Sequence, residues 1–310
     1  MTSFDITNKI FTDEDAARAH LEEQRWPNGP VCPHCGETRN VHRLEGESHR
    51  KGLIQCNVCL KNFTVTVGSV MERSHVPLKK WVLAFYLMNA SKKGMSAHQM
   101  HRMLGITYKT AWFMCHRIRE AMKDTSTEPM GGEGESVQAD ETYYGNTSKR
   151  AKGYKKGHSH KASVIGLVAP KTGKVRVFHV ETANVQTVRD ILVANVHAET
   201  ELHTDESRLY TQTGKEFGAH KTVRHGSNGR GVYVGTEGQT TNNVENFFGV
   251  FKKGMVGVYH FCGEQHVHRY LSEFEFRYNN RSGLGVSDIE RAAIAMKGAE
   301  GKRLTYRQAH

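Results

Sequence analysis

The sequence predicts an α/β domain preceded by a small metal-binding module and a helical segment. Two C-x-x-C pairs lie near the N-terminus, and a helical pattern extends from Pro77 to about Lys123. Short β-like runs then alternate with helical stretches, the pattern of an α/β domain. The predicted divisions are an N-terminal helix (1–25), a zinc ribbon (26–72), a helix-turn-helix-like domain (73–124), a linker (125–136) and the α/β domain (137–300).

The composition favours a globular protein with a polyanionic partner. Hydrophobic residues make up 37% of the 310 residues, and the formal net charge is +11. A net positive charge of this size is most often found in proteins that bind nucleic acid. The alternative is a globular protein that is basic but has no such partner. Apolar runs near the ~18 residues of a membrane span are not seen, nor is a secretory signal. We expect a cytoplasmic, nucleoid-associated protein without membrane contact.

The first predicted element is a helix over residues 12–25. Thr12 is a suitable N-cap, since its hydroxyl can accept from a free backbone amide of the first turn. Three acidic residues follow it directly and suit the positive end of the helix dipole. Prolines and glycines after Trp26 then interrupt regular structure.

Four cysteines predict a structural zinc site. Cys32 and Cys35 form one pair, Cys56 and Cys59 form a second, and 20 residues separate the pairs. Four thiolates on two tight turns can surround one tetrahedral Zn²⁺, and this spacing matches the two-knuckle pattern. Two disulfides, or one redox-active pair, are the alternatives. His34 lies within the first knuckle, but four thiolates already complete the coordination shell.

The helical segment contains a helix-turn-helix pattern. Ser96 can cap a short helix, Gly105 can end it and Thr107 can cap the next one. The second helix would then present its first residues to base edges, as recognition helices do. These residues are Tyr108, Lys109 and Thr110. An ordinary helical hairpin is the alternative. We expect Cys115 in this helix to be a core residue.

Carboxylates follow two of the β-like runs. Asp140 ends "SVQAD", Asp205 ends "TELHTD", and Glu245 lies near the start of a later helix. Strand ends are where α/β sheets collect functional side chains. Converging carboxylates repel each other unless cations bind them, and oxygen ligands suit Mg²⁺ or Mn²⁺. Each acid taken alone is more simply a surface charge.

Together these motifs resemble one family in the same order along the chain. The similarity covers roughly residues 26–282 and includes "CPHCG", "CNVC", "GMSAHQMHRMLGITYKTAW", "ADETYYG", "HTDESRLY", "TTNNVENFFGVFKKGMVGVYH" and "YLSEFEFRYNNR". The chain resembles bacterial insertion-sequence transposases of the DDE class, in the Merlin-related group with an N-terminal zinc ribbon and an ISXO-like transposase domain. The resemblance implies an RNase H-like fold and metal-dependent DNA cleavage and strand transfer. It also implies an oligomer acting on terminal inverted repeats and target double-stranded DNA.

The resemblance assigns two metal-binding aspartates, which here are Asp140 and Asp205. The third position varies in the group among Glu, Asn and His, and a downstream lysine accompanies it. At about 100° per residue, Glu245 and Lys252 share one flank of the helix, whereas Asn243 points to the opposite flank. We therefore expect Glu245 to be the third ligand, with Lys252 near the phosphate. Asn242 is a plausible N-cap, and either asparagine could share the third position.

The same helix has an apolar stripe that should pack on the sheet. The stripe consists of Val244, Phe247, Phe248, Phe251 and Met255.

A basic stretch between the first two strands of the α/β domain suits phosphate contacts, although a solvated loop is the common alternative. It carries Lys149, Arg150, Lys152, Lys155, Lys156 and Lys161.

Two other functions compete with transposition: a catalytically silent DNA-binding regulator derived from a transposase, and an RNase H-like nuclease acting on RNA or branched DNA.

Overall fold

The computed structural model describes residues 5–145, 162–224 and 234–305. It divides the chain into two compact units, residues 124–280 and residues 1–123 together with 281–310. The sequence analysis extended the α/β domain to residue 300, whereas the structure groups residues 281–300 with the N-terminal unit. The basic stretch from Lys149 to Lys161 lies outside the described residues.

The N-terminal unit begins with two helices, α1 (Lys9–Thr12) and α2 (Glu14–Arg25). Asp13 caps α2, because its side chain accepts from the Ala16 amide over 2.8 Å. The expected cap at Thr12 is wrong, since Thr12 is the last residue of α1. A carboxylate satisfies a free amide and also interacts favourably with the helix dipole, which explains why the aspartate takes this position.

The ribbon has a small antiparallel sheet of β1 (Val41–Arg43), β2 (Ile54–Cys56) and β3 (Asn62–Phe63). Phe63 is fully buried and packs edge-on against Trp26, with 5.7 Å between the ring centroids. Few other large apolar side chains are available in this region. A chain segment of this size needs a metal or another cross-link to remain folded.

Three helices follow: α3 (Leu78–Ala90), α4 (Ala97–Leu104) and α5 (Tyr108–Met122). The caps expected from the sequence at Ser96 and Thr107 are confirmed by side-chain hydrogen bonds to the first turns of α4 and α5. Gly105 ends α4 with a φ of 57°, a left-handed conformation that glycine adopts without strain. Cys115 is completely buried in α5, as expected.

The C-terminal helix α9 (Asp288–Lys297) packs on the helices of the N-terminal unit. Arg291 donates to the Asn89 carbonyl at the end of α3 over 2.7 Å. Lys302 donates to the Ala121 and Lys123 carbonyls at the end of α5. These long-range contacts explain why residues after 280 belong to this unit, since only a returning chain can supply them.

The second unit contains a five-stranded mixed sheet with the strand order β6-β5-β4-β7-β8. Pairs β6–β5 and β5–β4 are antiparallel, and pairs β4–β7 and β7–β8 are parallel. The strands are β4 (Ser136–Tyr144), β5 (Ala162–Ala169), β6 (Lys174–Val180), β7 (Glu201–Asp205) and β8 (Ala219–Val223). The first four of these strands were predicted from the sequence, whereas the short edge strand β8 was not.

Helices cover both faces of this sheet. They are α6 (Val185–Asn195), α7 (Asn242–Gly254) and α8 (Val267–Asn279). Helix α6 packs through Val188 and Leu192 on one face. Helices α7 and α8 share a core with Val164 and Val168 on the other face. The predicted apolar stripe of α7 is confirmed, because all five of its residues are buried in this second core.

Gly166 allows α7 to approach the sheet closely. A Cβ atom at this position would lie 2.8 Å from Cζ of Phe248 and 3.0 Å from Cγ2 of Val244. Gly166 pairs with Asp140 on the neighbouring strand. Helix α7 therefore packs tightly on the sheet at the level of the first candidate metal ligand.

Within residues 5–145, 162–224 and 234–305, we find no helix that is long and apolar enough to cross a membrane.

Candidate active site and zinc centre

The four cysteines predicted to bind zinc converge in the ribbon. Their Sγ atoms all lie within 4.8 Å of one another. Cys32 and Cys59 are 3.7 Å apart, and Cys35 and Cys56 are 3.6 Å apart. A tetrahedral site with Zn–S bonds of about 2.3 Å requires S···S distances of about 3.8 Å. The cluster therefore fits one Zn²⁺ ion held by four thiolates.

The same distances do not fit the disulfide alternative. A disulfide requires a separation of about 2.05 Å between the sulfur atoms, and all six cysteines of the chain are free. With four protein ligands, the zinc site would have no open position for a substrate, so its role is structural. His34 is exposed and does not belong to the cluster, as expected.

The three candidate carboxylates belong to one face of the second unit. Strands β4 and β7 pair in parallel with Gln138 opposite His203. The same register two residues further along places Asp140 level with Asp205. Because side chains alternate between faces, Asp140 shares a face with Gln138, whose side chain contacts the start of α7. Glu245 is in the first turn of that helix.

The electrostatics of Asp140 favour a bound cation. Burial and the nearby negative charges of Glu141, Asp205 and Glu245 raise the pKa of the Asp140 carboxyl to about 7. A hydrogen bond from the Glu141 amide, 2.8 Å long, opposes this shift only partly. A divalent cation would offset both the burial and the repulsion. The oxygen-only donor set is of the kind that Mg²⁺ and Mn²⁺ prefer.

These carboxylates do not close around a single ion as the cysteines do. In the parts of the chain that the structure describes, only the four cysteines bring three or more ligand atoms within 4.8 Å of one another. Lys252 is exposed and lies two helical turns after Glu245. The carboxylates interact electrostatically, but their oxygen atoms are not gathered as closely as the four sulfur atoms. Lys252 has no described contact with these carboxylates.

The start of α7 differs in detail from the expectation. Thr241 is the N-cap and Asn242 is the first helical residue, so the expected cap at Asn242 is wrong. The Thr241 hydroxyl donates to Oε1 of Glu245 over 2.6 Å, which orients this carboxylate. The Asn243 amide donates to Gln138 over 3.0 Å.

Gln138 was not identified from the sequence, and it connects β4 to α7. Its Oε1 atom accepts from the amides of Asn243 and Val244, at 3.0 and 3.4 Å. Gln138 is completely buried and lies two residues before Asp140. It thus holds the start of the helix that carries Glu245 against the strand that carries Asp140. The sequence did contain one indication of this role, because Gln138 is a polar residue between Val137 and Ala139 in a buried strand.

We predict that Gln138→Leu destabilises the second unit by about 1–3 kcal/mol, because it leaves buried helix amides without an acceptor. The melting temperature measured by calorimetry should fall. Gln186→Leu is the matched control, since it makes the same substitution at an exposed glutamine of the second unit. An unchanged melting temperature in Gln138→Leu would show that these amides do not depend on Gln138.

Glu141 supports the Asp205 loop from beside Asp140. Tyr210, which is completely buried, donates to Oε2 of Glu141 over 2.7 Å. The Ser207 side chain also hydrogen-bonds Glu141, while the Ser207 amide donates to Oδ1 of Asp205 over 2.9 Å. Burial nevertheless raises the pKa of Glu141. Glu141 could not be assigned this role from the sequence, because its partner Tyr210 lies 69 positions further along the chain.

Comparison with known proteins gives two family matches. Residues 132–279 match the ISXO2-like transposase domain, and residues 12–62 match the transposase zinc-ribbon domain. An uncharacterized protein in transposable element ISH50 of Halobacterium salinarum is 26% identical over 215 residues, which are 65% of this chain and 70% of that protein.

Among solved structures, a chain of the simian T-cell lymphotropic virus intasome in complex with PP2A regulatory subunit B56 gamma is similar at a TM-score of 0.30 and 13% identity. The match covers 55% of this chain and 61% of that one, so this chain spans less than two thirds of its length. The two domain matches confirm the resemblance that the sequence motifs carry. Along the chain, similarity to the transposase zinc-ribbon domain is thus followed by similarity to the ISXO2-like transposase domain.

Proposed function

We propose that this protein is a transposase that cuts DNA at the ends of its element and joins them to target DNA by a metal-dependent DDE mechanism. The observation that carries the proposal is the parallel pairing of β4 with β7, with Gln138 opposite His203. Continued by two residues, this register brings Asp140 level with Asp205 on the face that α7 covers. The transposase domain match covers all three candidate acids, since it spans residues 132–279.

The strand order supports an RNase H-like domain. Three antiparallel strands are followed by two parallel ones, and β4 is central in the sheet. In this arrangement, Asp140 belongs to the central strand and Asp205 to its parallel neighbour. Asp205 ends β7, at the edge of the sheet where α/β domains collect their functional groups. Asp140 does not end its strand as the sequence suggested, because β4 continues to Tyr144 through its pairing with β5.

The proposed roles follow from the positions of the acids. Asp140 and Asp205 would hold the cations, and Glu245, oriented by Thr241, would complete the ligand set. When bound, two Mg²⁺ or Mn²⁺ ions supply activation of the attacking oxygen and charge stabilisation of the leaving oxygen. Water attacks a phosphodiester at the element end and releases a 3′-hydroxyl and a 5′-phosphate. The 3′-hydroxyl then attacks a target phosphodiester and displaces its 3′-oxygen.

The N-terminal unit would bind the terminal inverted repeats. Tyr108 and Lys109 are exposed at the start of α5, where recognition helices contact base edges. An open groove of about 670 Å³ lies beside this helix start, and Arg73, Lys109 and Arg117 contribute to its lining. Positive side chains around such a groove suit phosphate contacts. Pairing of two element ends would require at least two copies of the chain.

The test of the third ligand compares Glu245→Gln with Asn243→Ala in a cleavage assay on DNA carrying the element ends. Loss of a partner of a metal ligand already costs about 10–100-fold, so loss of the ligand itself should cost on the order of 100-fold or more. We expect this loss for Glu245→Gln. Asn243→Ala should stay within about twofold of the wild type, because it keeps the backbone amide that donates to Gln138.

The reverse result would assign the third position to Asn243. Binding of the element ends without cleavage by the wild-type protein, in either Mg²⁺ or Mn²⁺, would favour the silent DNA-binding regulator instead. Cleavage of RNA or branched DNA in preference to element ends would favour the nuclease.

A further inference from the structure

Phe261 is unusually exposed for an aromatic side chain. Its relative exposure is 79%, the highest among the large hydrophobic residues that the structure describes. It lies just after the π-helical turn Met255–Tyr259, which continues α7. Val256 in the same turn is 67% exposed. Single exposed apolar residues are common, so exposure alone does not indicate a function.

The backbone next to Phe261 is held in an uncommon conformation. His260 has a φ of 58° and a ψ of −48°, which a residue with a Cβ atom rarely adopts. Such conformations persist where the surrounding structure imposes them, and they concentrate at functional sites. The backbone conformation of His260 therefore places Phe261 at the surface, and the contacts of the adjacent residues maintain it.

The anchor for this conformation is Tyr259. Its hydroxyl donates to Oε1 of Glu273 over 2.6 Å, and Glu273 forms a buried ion pair with Arg277. The Tyr259 ring also packs edge-on against Tyr270, with 4.8 Å between the centroids. Tyr259, two positions before Phe261, is thus partly buried and held against the core of the unit. A rigid base for an exposed aromatic ring reduces the entropy cost of binding through that ring.

The segment that carries Phe261 packs near the strand that carries the candidate metal ligand Asp140. Cys262, the residue after Phe261, and Tyr144 on β4 both pack against the core below α7. Tyr144 lies four residues after Asp140 on β4, a distance of about 13 Å along the strand. DNA advances about 3.4 Å per base pair, so this distance corresponds to about four base pairs.

Positive charge accompanies the ring. Lys252 and Lys253 are both exposed in the last turn of α7, just before the segment that carries Phe261. Exposed aromatic rings next to lysines are the usual features of single-strand binding, because bases stack on the ring while the cations contact phosphates.

We propose that Phe261 is a stacking platform for an unpaired DNA base close to the cleavage site. This inference rests on the proposed DNA chemistry of the second unit and adds a binding role for a residue outside the carboxylate cluster. The ring would hold a base of a strand end that has separated from its complement, while Lys252 and Lys253 contact its phosphates.

The test measures binding of a fluorescein-labelled oligothymidine single strand by fluorescence anisotropy, with the full chain. Base–aromatic stacking corresponds to about a 5- to 150-fold change in affinity, so Phe261→Ala should weaken binding by that factor. Phe261→Trp should retain it. Val256→Ala is the matched control, as a nearby exposed apolar residue, and should stay within about twofold. The salt dependence should not change in Phe261→Ala, since no charge is removed.

Binding by Phe261→Ala within twofold of the wild type would overturn the proposal. The proposal would also be overturned if Phe261→Ala binds oligothymidine as the wild type does but has a lower oligomeric mass in the absence of DNA. That result would assign the Phe261 ring to a contact between two copies of this chain. If the wild-type protein fails to cleave DNA but Phe261→Ala still weakens binding, only the proposed cleavage function fails.

Discussion

Replacing Asp140 with asparagine is expected to abolish metal-dependent cleavage and to stabilise the metal-free protein. Asparagine has nearly the same shape but cannot supply the charge that holds a divalent cation. Cleavage of element-end DNA in Mg²⁺ or Mn²⁺ should fall below detection, while binding of the same DNA should remain. Asp205→Asn is the matched variant on the neighbouring strand and should show the same loss.

The stability gain follows from the raised pKa of Asp140. Its pKa in the folded protein is about 7, compared with an ordinary value of 3.8. The folded state therefore holds the proton more tightly than the unfolded state, and the charged carboxylate destabilises the metal-free fold. The penalty is absent below about pH 4, grows as the pH rises, and is complete above about pH 7.

Thermal unfolding with a chelator present measures this effect in the second unit, provided that its transition is resolved. Asp140→Asn should melt above the wild type at pH 8, by a free-energy difference on the order of a few kcal/mol. The two proteins should converge as the pH falls towards 4. Retained cleavage in Asp140→Asn would exclude Asp140 as a metal ligand, and a lower melting temperature at pH 8 would contradict the proposed electrostatics.

The second large effect is expected from removal of zinc. Cys56 is completely buried, and its sulfur lies 3.6 Å from that of Cys35. Zinc binding in small domains contributes apparent free energies of about 10–16 kcal/mol, and this free energy is used to fold the domain. Cys56→Ser should therefore lose the bound zinc and unfold the ribbon, and binding of element ends should weaken with it.

Zinc content by atomic absorption and DNA binding by anisotropy would measure these losses. Cys262→Ser is the matched control, because Cys262 forms no disulfide and lies outside the four-sulfur cluster. It should bind as much zinc as the wild type. A wild-type protein without zinc, or a Cys56→Ser protein with an unchanged zinc content, would contradict the assignment.

Local spacing explains which features the sequence could predict. The caps at Ser96 and Thr107 depend on hydrogen bonds to residues three positions away. The stripe from Val244 to Met255 depends only on helical periodicity. The error at Thr12 was a shift by one residue, at a helix start where Asp13 was an equally good cap. Strand β8 was missed because "AHKTV" is short and half polar.

Non-local contacts explain the rest. Gln138 accepts from residues more than 100 positions away, and Tyr210 reaches Glu141 across 69 positions. Neither contact follows from periodicity, because each depends on the register and order of the strands. The return of residues 281–305 to the N-terminal unit likewise depends on packing of α9 with α3.

The sequence by itself determined the four cysteines of the ribbon, the helix caps at Ser96 and Thr107 and the apolar face of α7, since each depends on spacings within one element or one short segment. Only the tertiary structure decided the register that brings Asp140 towards Asp205, the hydrogen bonds of Gln138 to the first turn of α7, and the close approach of this helix at Gly166. The physical reason is that strand register and helix packing join residues far apart in the chain, and local propensities do not specify which of them meet.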